Sequence, residues 1–73
     1  MPQLRDKIAM NLLAGNVRKF RIAKNLSQEG LANLAGIELS QVSRLERGIL
    51  NTSVSVIFAL AAALEIKPSQ LVE

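Results

Sequence analysis

Apolar positions recur along the chain at helical spacing, and the places where the recurrence stops mark the elements. In the first two dozen residues they form two stripes. Ala9, Leu13, Val17 and Phe20 make a continuous line that predicts the core side of a helix over residues 3–24. Leu4, Ile8 and Leu12 recur at i, i+4 and i+8 on another side. Pro2 suits the first turn of such a helix. Gly15 is a candidate bend, since a helical glycine costs about 1 kcal/mol relative to alanine. The second stripe either covers the C-terminal helix of the same chain, the preferred reading, or meets a partner subunit.

The stretch Ser27–Gly48 reads as helix, tight turn, second helix. Ser27 is a strong N-cap and Glu29 favours the first turn through the helix dipole. Leu31, Leu34 and Ala35 give apolar spacing i, i+3, i+4, Ala32 is small enough for a close helix crossing, and Gly36 follows as a left-handed C-cap. The second helix runs from Glu38 or Leu39 through Arg47. Val42 and Leu45 share one face, with Ile37 just before them and Glu46 on the flank. Ser40, Ser43, Arg44 and Arg47 lie at i, i+3, i+4 and i+7 on the opposite face. Burying Val42 and Leu45 therefore displays two Ser and two Arg. Arg can fork onto guanine O6 and N7, Ser can pair with a base edge, and both can hold phosphate. The same stripe can also be an ordinary solvated helix face.

Beyond Gly48 the segment Ile49–Ser53 reads as a loop, and Ser53 caps a helix from Val54 to about Leu64. That helix, VSVIFALAAAL, carries no charge. Val54, Ile57, Leu60, Ala61 and Leu64 suffice for a core stripe, which leaves Val56, Phe58, Ala59 and Ala62 as apolar surplus. A small monomer cannot bury a helix on all sides, so these four residues are assigned to a dimer interface. Lys67-Pro68 opens a short last helix with Pro68 at its first position and Leu71 and Val72 turned inward.

Composition narrows the function. The 73 residues make one small domain, 49% apolar, with two Phe, no Tyr and no Trp, so its core must be aliphatic. No Cys and no His are present, which excludes disulfides, Cys/His zinc sites and Cys- or His-based catalysis. The acids Asp6, Glu29, Glu38, Glu46, Glu65 and Glu73 form no credible acid–base pair or metal cluster, so an enzyme is not expected. Nine basic against six acidic residues leave a net charge of +3. Arg18, Lys19, Arg21 and Lys24 fall together, and Arg44 and Arg47 share one face. No stretch is apolar enough for a membrane span or a signal peptide, and the expected location is cytoplasmic. Neither a cofactor nor a small-molecule ligand is expected.

The joint spacing of Arg21, Ser27-Gln28-Glu29, Leu31-Ala32, Ala35-Gly36-Ile37, Val42 to Gly48, and Ala61 with Leu64 resembles the Cro/repressor-type, or XRE-like, helix-turn-helix family over roughly residues 13–72. The resemblance implies an all-α, compact five-helix domain of the lambda-repressor-like DNA-binding fold, here a single domain over residues 1–73. It also implies a homodimer on a near-palindromic operator, regulating transcription. An Arg21–Glu46 salt bridge, largely buried, would lock the first helix to the third. By family position Arg18 is a phosphate contact, whereas Lys19 and Lys24 read as solvated. Three departures stand out. Gly30 removes the reciprocal capping box. Glu38 replaces the frequent Ser or Thr cap. Ile49 and Leu50 stand where basic residues often touch the DNA backbone.

The leading expectation is a sequence-specific regulator that binds double-stranded DNA. Each subunit would place Leu39 to Arg47 in successive major grooves. Arg44 and Ser40 would read bases, Ser43 shares their face, and Leu39 can touch a thymine methyl. Gln28, Arg47, Asn51 and Thr52 would set the register on phosphates. The alternative is an antitoxin or adaptor whose main role is to bind a partner protein through the apolar helix 54–64.

Overall fold

The structure is a computed structural model that describes residues 6–73. It contains α1 (Lys7–Ala23), α2 (Gln28–Ala35), α3 (Leu39–Glu46) and α4 (Val54–Leu64), followed by a one-turn 3-10 helix at Pro68–Leu71. No strand occurs among the described residues. The all-α expectation therefore holds, with four α-helices rather than five. The last turn does not become an α-helix because its bonds close one residue early: Gln70 N–H donates to Lys67 O and Val72 N–H to Ser69 O. The Asn16 side chain captures the carbonyls beyond, Leu71 O at 2.9 Å and Glu73 O at 3.2 Å.

Local chemistry sets the helix ends. Asp6 accepts from Ala9 N–H, Ser27 from Gly30 N–H and Ser53 from Val56 N–H, three N-caps of one design. α1 thus begins at Lys7 rather than near Gln3, and Pro2 and Leu4 lie outside the described residues. Each α-helix ends in the same way. Leu26, Ile37, Ile49 and Ile66 each donate a backbone N–H five residues back, to Arg21, Ala32, Arg44 and Ala61. The residue before each of them, Asn25, Gly36, Gly48 or Glu65, takes a left-handed conformation with φ between 58° and 71°. Gly36 supplies this bend at the helix-turn-helix joint without steric penalty.

Leu13 and Val17 of α1 pack with Leu31, Ala32, Val42, Leu45, Leu60, Ala61, Leu64 and Leu71 to form the core, and Met10 and Ala14 of α1 are buried as well. Complete burial of a Leu or Val among them stabilises by about 1.5–3 kcal/mol. Several sequence expectations change here. The inner stripe of α1 is rotated toward Met10 and Ala14, so Ala9 is exposed. Ile8 is 82% and Leu12 40% exposed, so these two members of the second stripe do not cover the C-terminal helix. α1 runs unbroken through Gly15. Leu34, Val54 and Val72 are more than half exposed. Four short helices around one layer of Leu and Val side chains leave no second apolar surface for them to enter.

Candidate nucleic-acid interface

α3 is the element that the fold presents. Its Val42 and Leu45 are buried, and α2 and α1 are its main neighbours. Burial of that side leaves Ser40, Arg44 and Arg47 exposed and Ser43 half-buried, on the opposite side by helical spacing. Leu39, the first helical residue, is 44% exposed. Glu38 caps the helix in a different way from Ser or Thr: its own N–H donates to Gln41 Oε1 at 3.0 Å. Arg47 is the C-cap residue just past the helix, and its Nε reaches Ser43 O at 3.4 Å. Its terminal guanidinium nitrogens remain available on the exposed face.

One carboxylate holds α3 to the rest of the domain. Arg21 Nε donates to Glu46 Oε2 at 2.6 Å, and Arg21 Nη2 donates to Glu46 Oε1 at 3.0 Å. Arg21 Nη1 also closes on Leu26 O at 2.8 Å. The side chains are 13% and 4% exposed, so the fork is largely desolvated. The hydrogen bond that Arg21 donates to Glu46, opposed by burial and reinforced by the carboxylate's charge, raises the guanidinium above its ordinary value. The contact joins α1 to α3, the pairing that the family resemblance implies.

Gln28 joins the same cluster, which its sequence position did not reveal. Its Nε2 donates to Glu46 Oε1 at 3.1 Å. The amide keeps a second N–H, and Gln28 is the first residue of α2, where unpaired backbone N–H groups also face outward. The periodicity of α2 alone carries no signal for this contact. The partner lies eighteen residues away, on another helix.

The remaining candidates are less concentrated. Arg18 is exposed on α1, one turn before Arg21. Asn51 is exposed and Thr52 half-buried in the loop after α3. These two residues line an open groove of about 160 Å³ together with Met10, Leu13, Leu50 and Ile57. On α4, Phe58 is 58% exposed and Ala62 is exposed, while Val56 and Ala59 are half-buried. Among the described residues there is no group of three acids that could hold a metal, and no helix is long and apolar enough to cross a membrane.

Comparison with known proteins extends this geometry. The helix-turn-helix family profile matches residues 17–71. The chain is 38% identical to control protein C.SmaI of Serratia marcescens over 60 residues, covering 82% of this chain and 71% of that protein. The crystal structure of the restriction-modification controller protein C.AhdI from Aeromonas hydrophila superposes with a TM-score of 0.83 at 44% identity, over 85% of this chain and 94% of that one. The hypothetical transcription factor NHTF from Neisseria gives a TM-score of 0.87 at 38% identity, over 100% of this chain and 85% of that one.

Proposed function

The chain belongs to the helix-turn-helix family, and from that premise we propose that it is a sequence-specific regulator of transcription acting as a homodimer on a near-palindromic operator. The observation that carries this reading is the exposed face of α3. Ser40, Arg44 and Arg47 stand opposite the buried Val42 and Leu45, on a helix held at its far end by Arg21 and Gln28. A rigid helix with forked donors on its free side is the form that direct readout of base edges needs. Relatives named as controller proteins and as a transcription factor support DNA-binding regulation.

In this reading Arg44 and Ser40 contact bases, with Leu39 against a thymine methyl and Ser43 beside them. Gln28, Arg47, Asn51, Thr52 and Arg18 hold phosphates and set the register. Gln28 can do so while keeping its bond to Glu46, because one amide N–H is free. Val56, Phe58, Ala59 and Ala62 form the subunit contact, supported by the exposure of Phe58 on a helix without charge. The controller-protein relatives favour a role beside a restriction–modification pair, and a DNA-binding regulator works in the compartment that holds the DNA.

Selection from a random double-stranded DNA pool at about physiological salt tests the proposal, because phosphate affinity is salt-dependent. An enriched inverted repeat with half-sites about 34–36 Å apart is the expected result. Weak, salt-sensitive binding without enrichment overturns it and favours a protein partner on α4.

A further inference from the structure

One line along the outward side of α1 is largely apolar, between flanking polar residues that include Asn11 and Arg18. Ile8, Leu12, Gly15, Lys19 and Ile22 follow one another at intervals of four, three, four and three residues, the spacing of a helix-pairing seam. This line lies opposite Met10, Leu13, Ala14 and Val17, which face the core. Ile8 is 82% exposed, Ile22 55% and Leu12 40%. Lys19, the one charge in the line, is drawn aside: its Nζ sits 4.7 Å from the centre of the Phe20 ring.

Gly15 is the centre of the pattern. A Cβ at this position would meet nothing within 4 Å, so the fold does not need a glycine here. Neither does the backbone, since Gly15 is not among the residues with positive φ. A mid-helix glycine weakens the helix, and what it permits is close approach of another backbone. Ile8 and Ile22 stand seven residues to either side of it.

We propose that this face of α1 pairs with the same face of a second copy, antiparallel, about a two-fold axis passing beside Gly15. In that register Ile8 of one copy meets Ile22 of the other, and Gly15 meets Gly15. Leu12 lies along the Lys19 stem, and Arg18 stays at the edge of the seam, so that its guanidinium is left for the phosphate assigned to it above. The charges select this arrangement. A parallel pair would set Arg18 against Arg18 and Lys19 against Lys19, and α1 carries no acid to offset them. A two-fold contact is self-complementary by construction. One helix pair buries less than the roughly 1,200–2,000 Å² of a stable complex. The contact therefore acts between subunits already paired elsewhere, and joins dimers into larger assemblies at high concentration. It is separate from the α4 contact proposed above.

Cysteine cross-linking tests the register, because the chain has no cysteine of its own. Ile8→Cys and Ile22→Cys are prepared singly in the full chain, with and without Phe58→Arg, and oxidised alone or mixed. The expected result is at least tenfold more disulfide-linked product in the mixture than in either variant alone, since identical positions lie about 21 Å apart across the axis. Gly15→Arg should abolish that product and remove species larger than a dimer from sedimentation profiles. A mixture no better than an exposed control such as Ser69→Cys overturns the proposal, and so does efficient self-linking of Ile8→Cys. Failure of the α4 contact would change the size of the complex in which the link forms but not which residues link.

Discussion

Gln28 donates its amide to Glu46 across 3.1 Å, so the first residue of α2 is bonded to the last residue of α3. Arg21 of α1 forks onto the same carboxylate. Three helices thus meet at one side chain that is 4% exposed. That junction ties the C-terminal end of α3 to α1 and to the start of α2.

Glu46→Ala should lower stability by about 3–5 kcal/mol, because it strands the Arg21 guanidinium in a largely desolvated place. Urea unfolding followed by circular dichroism measures the loss. Replacing both partners, Arg21→Met with Glu46→Leu, should recover most of it. A midpoint unchanged in Glu46→Ala contradicts a structural role for the pair.

Arg44→Ala should leave the unfolding curve unchanged, since the side chain is exposed and makes no hydrogen bond or ion pair among the described residues. Specific binding should weaken by about 1–3 kcal/mol if Arg44 forks onto a base. Titration of selected and random duplexes separates the roles. Equal weakening on both assigns Arg44 to a phosphate.

Phe58→Arg should give monomers in sedimentation equilibrium while the helical content stays constant, because the ring is 58% exposed and its loss opens no core cavity. Operator affinity should fall with the dimer. A persistent dimer moves the subunit contact away from α4.

Glu65 closes α4 in a left-handed conformation at φ 58° and pairs with Lys24. Hydrogen bonding to Lys24, with its charge, holds the carboxyl below its ordinary value. A lowered value means that the pair contributes fully above the ordinary carboxylate range and loses its contribution as pH falls through the lowered one. Glu65→Gln should therefore be less stable than the parent near neutral pH and equal to it in acid. Glu65→Gly should melt higher than Glu65→Gln at every pH, since glycine adopts this conformation without strain. Thermal melts across an acid-to-neutral series decide both.

Much of the site is legible along the chain because its causes are short-range. Ser27 and Ser53 cap N–H groups three residues ahead, and Gly36 relieves a bend at its own position. The face of Ser40, Ser43, Arg44 and Arg47 follows from helical spacing once Val42 and Leu45 are assigned to the core. Arg21–Glu46 was available only through family resemblance, for nothing in either residue's neighbourhood names a partner twenty-five positions away.

What the sequence by itself determined is where helices start and stop and which faces are polar, because capping, backbone preference and periodicity act within a turn or two. Only the tertiary structure decided which apolar side chains find cover. Val54, Leu34 and Val72 have the composition of core residues yet stay exposed, while Met10 and Ala14 are buried. Tertiary contacts also put Gln28 on Glu46 and Asn16 on the carbonyls of Leu71 and Glu73. The physical reason is that burial is shared out by the packing of whole helices. A small core has room for a fixed set of side chains, and neighbours distant in sequence settle which ones enter.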